Sequence, residues 1–224
     1  ERNDWISAPV IDQHGRLIGR ITIDDVVDVI REQADHSLAV MAGLGDGDVF
    51  TTVLATAPQR AIWLAINLAT AILAASVIAF YQDTIEKVVA LAVLMPIVAS
   101  MGGIAGTQSL TVLIRAMAMG QINDRTEIWL VRREIFVSII NGLIWAFVIA
   151  VIAAYWFDDT TLGLIIAFAI IINLITAGIA GASLPLILDR LRIDPALAGG
   201  VVLTTITDVV GFFAFLGVAT YFYN

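Results

Sequence analysis

Asp208 lies near the middle of "VVLTTITDVVGFFAFLG", residues 201–217, a run that reads as a membrane-spanning helix. A carboxylate in hydrocarbon is costly and by default marks a functional site. Asp208 is the only acidic residue deep within any apolar run of this chain, and no Lys or Arg lies equally deep to neutralise it. A mobile cation is therefore the expected counter-charge. At helical spacing Gly200, Thr204, Asp208 and Gly211 fall on one face, with Thr205 and Thr207 beside them. Small and hydroxyl residues around one carboxylate suit a surface that lines a cation path. The competing reading is a helix-packing Asp, either protonated or hydrogen-bonded to a neighbouring helix.

A second polar stretch, "MPIVASMGGIAGTQSLT", interrupts another apolar run at residues 95–111. Pro96 removes a backbone donor and frees the carbonyl of Ala92. Gly102, Gly103 and Gly106 permit close helix approach, and Gly102 with Gly106 has GxxxG spacing. Thr107, Gln108 and Ser109 put hydrogen-bonding groups at membrane depth. Two readings stay open: a kinked, packed helix, or an irregular segment facing a pore. Asp194-Pro195 is an ordinary helix start, N-cap then N1, and also lies at the mouth of whatever Asp208 lines. Glu134, beside Arg132 and Arg133, reads as an interfacial ion pair, and Asn67, Asn141 and Asn173 are candidates to bridge helices.

Enzyme chemistry finds little support. A Ser/His/Asp triad would need a membrane-embedded His, and an intramembrane aspartyl protease would need a second buried Asp. The two histidines, His14 and His36, lie outside the apolar runs, and there is no Cys, so a zinc site is not expected.

The elements that position these residues follow from hydropathy. The chain has 224 residues, 59% of them hydrophobic, and a mean hydropathy of +0.92. Five spans are expected, at about 61–81, 88–114, 135–157, 161–184 (stopped near Pro185) and 195–223. Each can cross an apolar core roughly 30 Å thick. The expected class is an all-α membrane protein in a lipid bilayer, with five transmembrane helices per protomer. The loop after the second span holds Arg115, Arg125, Arg132 and Arg133, and the loop after the fourth holds Arg190 and Arg192. The other loops hold only Lys87. Basic loops stay in the cytoplasm, which predicts a cytoplasmic N-terminus and an external C-terminus in the cell membrane. Tyr155, Trp156, Tyr221 and Tyr223 then sit at the outer interface.

Residues 1–59 differ in character. Before Arg60 there are ten acidic and four basic residues, net −6, leaving −2 for the rest of the formal −8. This argues against nucleic acid and against docking on anionic lipid, and suits cations. Asp12-Gln13-His14-Gly15 predicts a hairpin turn, "RITID" a following strand, and Asp24 the cap of a helix whose Val26, Val27, Val29 and Ile30 face a core. That is too little chain for a self-sufficient core. The opening "ERNDWISAPVID" shows no signal peptide and reads like the middle of a longer protein.

Three segments resemble the MgtE family of magnesium channels and transporters. "GRLIGRITIDDVVDVI" looks like the end of a CBS (cystathionine-beta-synthase) domain, "PIVASMGGIAGTQSLTVLIRAMA" like the family's second-helix segment, and "IDPALAGGVVLTTITDVVGFFAF" like its last helix. The resemblance implies a CBS remnant over 1–33, a connecting "plug" helix region over 34–60 and a five-helix pore domain over 61–224. It implies a homodimer with helices two and five lining an axial pore, and Mg2+ influx gated by cytoplasmic Mg2+. By position Asp208 matches the pore carboxylate, Thr204 the residue one turn earlier, Asp194 the acidic residue at the cytoplasmic mouth, and Asp25 and Asp28 acidic sensor positions. Ile104 departs from the family's frequent Gly-Gly-Asn-Ala-Gly, which removes any ion contact by that side chain. Gln33, His36 and Ser37 replace an acidic cluster, so the sensor should be weakened.

The expected function is therefore Mg2+ transport by a dimeric, Mg2+-selective channel. Mg2+ demands octahedral oxygen geometry and sheds water reluctantly. Two Asp208 side chains across a two-fold axis could hold the hydrated ion through its waters. The pore lining would comprise Thr204, Thr205, Gly200, Gly102, Gly103, Gly106 and Gln108. The alternatives are a cation exchanger coupled to Na+ or H+, and a non-transporting membrane subunit that binds a partner through glycine-rich helix faces.

Overall fold

The structure is a computed structural model that describes residues 6–41 and 52–223. It divides into two compact units between Arg60 and Ala61.

The first unit begins with an antiparallel hairpin of β1 (Ser7–Ile11) and β2 (Leu17–Thr22). Asp12 Oδ1 accepts from the backbone N–H groups of His14 and Arg16, both at 2.8 Å, and closes the expected turn. Gly15 takes φ +78°, a conformation that costs glycine nothing. No separate strand follows. Arg20–Thr22 continues β2, and Ile23 opens α1 (Ile23–Met41). The cap is Thr22 rather than Asp24. Asp25 reaches back to accept from both the N–H and the hydroxyl of Thr22, each at 2.8 Å, the return half of a capping box. Val26, Val27, Val29 and Ile30 do not face a core: they are 41%, 39%, 51% and 58% exposed. One hairpin and one helix offer no second layer to bury them. Gln33, His36 and Ser37 lie where no side chains are described, and residues 42–51 of the expected connecting region lie outside the described residues.

The remaining elements are helical: α2 (Val53–Phe80), α3 (Gln82–Lys87), α4 (Ala90–Ala118), α5 (Asp124–Phe157), α6 (Thr160–Arg190) and α7 (Pro195–Tyr223). Among the described residues, α2, α4, α5, α6 and α7 are long and apolar enough to cross a membrane. The chain is thus a helical membrane protein with a small β-hairpin.

Two boundaries differ from expectation. α5 begins at Asp124, not near 135, because Asn123 caps it: its side chain accepts from the N–H groups of Arg125 and Thr126, and Thr126 Oγ1 accepts from Asn123 N–H. The basic "DRTEIWLVRRE" is therefore a helical lead rather than a loop. It carries Glu127 to within 2.7 Å of Arg190 at the end of α6. α6 in turn runs straight through Pro185. A break inside an apolar span would strand several carbonyls without partners, whereas a proline forfeits one hydrogen bond.

α6 is the most buried of the five long helices and packs against α4, α5 and α7. Its small residues Ala177, Gly178, Gly181 and Ala182 are buried and let the neighbouring backbones close in. A Cβ built at Gly181 would stand 2.5 Å from the carbonyl oxygen of Gly106 in α4. One at Gly178 would overlap the hydroxyl of Ser138 in α5. Leu162, Ile165, Ile166, Ile170 and Leu174 fill the rest of the seam. At the far end Thr84 Oγ1 pairs with Thr220 Oγ1 at 2.8 Å and Tyr81 packs edge-on against Phe213, which fixes α3 and its approach to α7. Asp159 caps α6 through the N–H groups of Thr161 and Leu162 and accepts from the hydroxyl of Tyr223, so the same carboxylate joins the start of α6 to the end of α7.

Gly181→Ala should therefore overpack the α4–α6 seam and cost about 1–3 kcal/mol. A thermal melt of the detergent-solubilised protein should show a lower Tm; an unchanged Tm would mean that the helices do not meet this closely.

Candidate functional site

α4 and α7 carry the polar residues singled out above, and the α6 seam holds these two helices against each other. α4 is a continuous helix across "MPIVASMGGIAGTQSLT", with Pro96 inside it. The irregular-segment reading is thus replaced by a regular helix. Its residues divide by face. Gly102 and Gly106 are buried and turn inward, Gly106 towards Leu203 of α7, where a Cβ would come within 2.8 Å of a leucine methyl. Gly103 faces the other way, 3.9 Å by its would-be Cβ from the Thr204 methyl.

That outer side is a groove of about 540 Å3 lined by Ala99, Ser100, Gly103, Ile104, Thr107 and Gln108 of α4 with Thr204 and Asp208 of α7. Of the residues named from the sequence, the groove brings together Gly103, Gln108, Thr204 and Asp208. Gly102 and Gly106 are structural spacers behind it. Gly200 is half-exposed with nothing within 4 Å of a would-be Cβ and does not line the groove, whereas Gly211 is buried on the inward side against Asn173. Thr205 lies outside the groove, its hydroxyl 2.7 Å from the Val201 carbonyl. Asp194 is also apart: it is exposed and caps α7, accepting from Ala196 N–H at 2.8 Å. Ile104, 58% exposed, puts an apolar side chain in the groove where the family resemblance calls for a polar one.

Asp208 is half-buried, and among the described residues no hydrogen-bond or ion-pair partner is assigned to its carboxylate. Around it both threonine hydroxyl protons are already spent. Thr204 donates to the carbonyls of Gly200 and Val201, both at 3.1 Å, and Thr107 donates to Gly103 O at 2.8 Å. What these hydroxyls present to the groove is lone pairs. The groove therefore offers one carboxylate and the threonine lone pairs, beside the Ser100 hydroxyl and the Gln108 amide, and its acceptors suit the outward-pointing protons of a hydrated cation. Among the described residues no three His, Asp or Glu side chains converge, so one chain supplies no complete metal cage.

Sequence reasoning missed Ala99 and Ser100, though Ser100, Gly103 and Thr107 repeat at i, i+3 and i+7, the signature of one helix face. It also placed Glu134 at an interface. With α5 starting early, Glu134 falls within a spanning helix and is 5% exposed. Its carboxylate does pair with Arg133, at 3.1 Å, and also accepts from Ser109 Oγ of α4 at 2.9 Å. Nothing in the spacing announces that contact. Of the three asparagines, only Asn173 bridges helices, donating to Val98 O at 2.7 Å; Asn141 bonds Val137 O of its own helix and Asn67 is exposed. In the first unit Asp25 is held below its ordinary value of 3.8, chiefly by the Thr22 N–H and then by the Thr22 hydroxyl. Asp28 is exposed one turn further on.

Five apolar helices around a seam of small residues, with a lone carboxylate in an acceptor-lined groove, define a membrane protein built to handle cations. The chain belongs to the MgtE family: residues 95–218 match that family, described as a divalent cation transporter. It is 34% identical over 223 residues to the magnesium transporter MgtE of Bacillus subtilis (strain 168), covering 99% of this chain and 49% of that protein. The MgtE of Thermus thermophilus is 33% identical over 222 residues, covering 96% and 48%. That of Enterococcus faecalis is 30% identical over 219 residues, covering 98% and 48%. The chain spans about half the length of the curated relatives it matches. These relatives carry the name of transporters rather than enzymes, in agreement with the absence of a catalytic constellation in the sequence.

The Thr22–Asp25 cap has a pH signature. Because the folded pKa of Asp25 is depressed, its contribution is complete above the unfolded value near 3.8 and fades as pH falls through the lower folded value. The protection of the Thr22 amide relative to its intrinsic exchange rate should therefore fall on acidification below pH about 4, and Asp25→Ala should lack that protection at neutral pH and match the parent protein at low pH. Equal exchange in the two proteins at neutral pH would remove the cap.

Proposed function

We propose that this chain forms the membrane portion of a magnesium transporter and that Asp208 binds the permeating ion. The observation that carries the reading is the groove in which Asp208 and Thr204 of α7 meet Gly103, Thr107 and Gln108 of α4. Mg2+ holds its water tightly and is usually bound through one or two carboxylates with waters retained. A single Asp208 with acceptor hydroxyls around it suits an ion bound through its shell. The second carboxylate would come from a partner copy, on a two-fold axis that sets the two grooves face to face. With a cation between them both carboxylates stay charged; without one they would repel.

The same reading assigns Asp194 an electrostatic role at the cytoplasmic mouth, in addition to its cap. The exposed Asp25 and Asp28 become part of a cation-sensing acidic surface, weakened where Gln33, His36 and Ser37 stand. The basic Arg125, Arg132, Arg133 and Arg190 support a cytoplasmic side for the start of α5 and the end of α6 in a cell membrane.

Mg2+ entry into liposomes carrying the purified protein should fall to the level of empty liposomes in Asp208→Ala, with chromatographic behaviour and helicity unchanged. Undiminished entry would overturn the assignment of Asp208. Entry that depends on an opposing Na+ or H+ gradient would identify an exchanger instead.

A further inference from the structure

Asn173 is fully buried at the centre of the helix bundle. Its Nδ2 donates to Val98 O of α4 at 2.7 Å, while its Oδ1 is the buried side-chain atom without a hydrogen-bond partner among the described residues. The amide also fills the space between two glycines. A Cβ at Gly102 of α4 would overlap it, and a Cβ at Gly211 of α7 would come within 2.7 Å of Nδ2. One residue along from Gly102, Gly103 faces the groove; one turn back from Gly211, Asp208 lines it. Asn173 is thus a wedge driven from behind between the two helices whose outer faces form the groove.

The amide is poorly explained as a stabilising device. One hydrogen bond made hardly offsets the desolvation of the acceptor left unpaired, and an apolar side chain of similar shape would avoid that cost. Its single anchor on Val98 O is what an apolar residue would not reproduce. We propose that Asn173 is a positioning residue that sets the separation of α4 and α7, and through it the width at which Asp208 and the facing Thr and Gln groups meet a hydrated cation. This rests on the transport reading above. It adds a selectivity role for a residue that touches no ion.

The chain contains no Cys, so an introduced pair reports one distance. Gly103→Cys with Thr204→Cys places two thiols at a contact of 3.9 Å between the would-be Cβ and the Thr204 methyl, within reach of a disulfide. In this background Asn173→Ala should let the helices close and speed cross-linking, whereas Asn173→Leu should hold them apart and slow it. Without the cysteines, the same Asn173 substitutions should change the ratio of Mg2+ to Ca2+ entry into liposomes on the order of tenfold, the change that about 1.4 kcal/mol of differential binding produces. Cross-linking rates that ignore residue 173 would overturn the proposal. So would altered rates with an unchanged Mg2+ to Ca2+ ratio, because the residue would then be packing alone. If the unsubstituted protein carries no Mg2+, the transport reading falls, and altered cross-linking would keep the spacer while ending its role in selectivity.

Discussion

Where Gly181 of α6 meets the Gly106 carbonyl of α4, two helices touch with no side chain between them. Apolar side chains gain little by leaving lipid for one another, so close packing of this kind is what holds membrane helices together. That contact and its counterpart at Gly178 and Ser138 pull α4 and α5 onto α6. The groove is the remainder: once the inward faces of α4 and α7 are committed to α6, Gly103, Thr107, Thr204 and Asp208 are left on the outside.

The same constraint explains why polar groups sort as they do. Those with an immediate partner lie inside or at the ends. Glu134 is shared by Arg133 and Ser109, Asp159 is held by backbone N–H groups and Tyr223, and Asp194 caps α7. Asp208 lies on the open side instead. Among the described residues, the buried Glu134 and the half-buried Asp159 are met by internal contacts, whereas Asp208 is left to something external. The functional reading gains more from that contrast than from the burial of Asp208 itself.

The sequence made some of this legible and not the rest. Five spans could be counted because apolar length is a local property, and the hairpin because Asp12 and Gly15 specify a turn chemistry. Helix ends were less readable. The basic lead of α5 looks like a loop to a hydropathy scale, yet the Asn123–Thr126 cap starts a helix there, and Pro185 looks like a stop where the bilayer makes stopping dearer than continuing. The GxxxG pair announced a close approach, but which glycines pack and which face the groove depends on the rotation of α4 about its axis. Neighbouring Gly102 and Gly103 have opposite fates. Asn173 was one of three equivalent asparagines until the fold put two glycines against it.

The threonine hydroxyls, each tied by its proton to a carbonyl of its own helix, give the groove a polarity that does not rest on Asp208 alone. A surface of oxygen lone pairs has no hydrogen to offer. Chloride, phosphate or carbonate arriving there would lose the donors of bulk water and find only the Ser100 hydroxyl and the Gln108 amide in exchange. The walls thus disfavour anions by the direction of their dipoles, and this bias would outlast the loss of the carboxylate's charge.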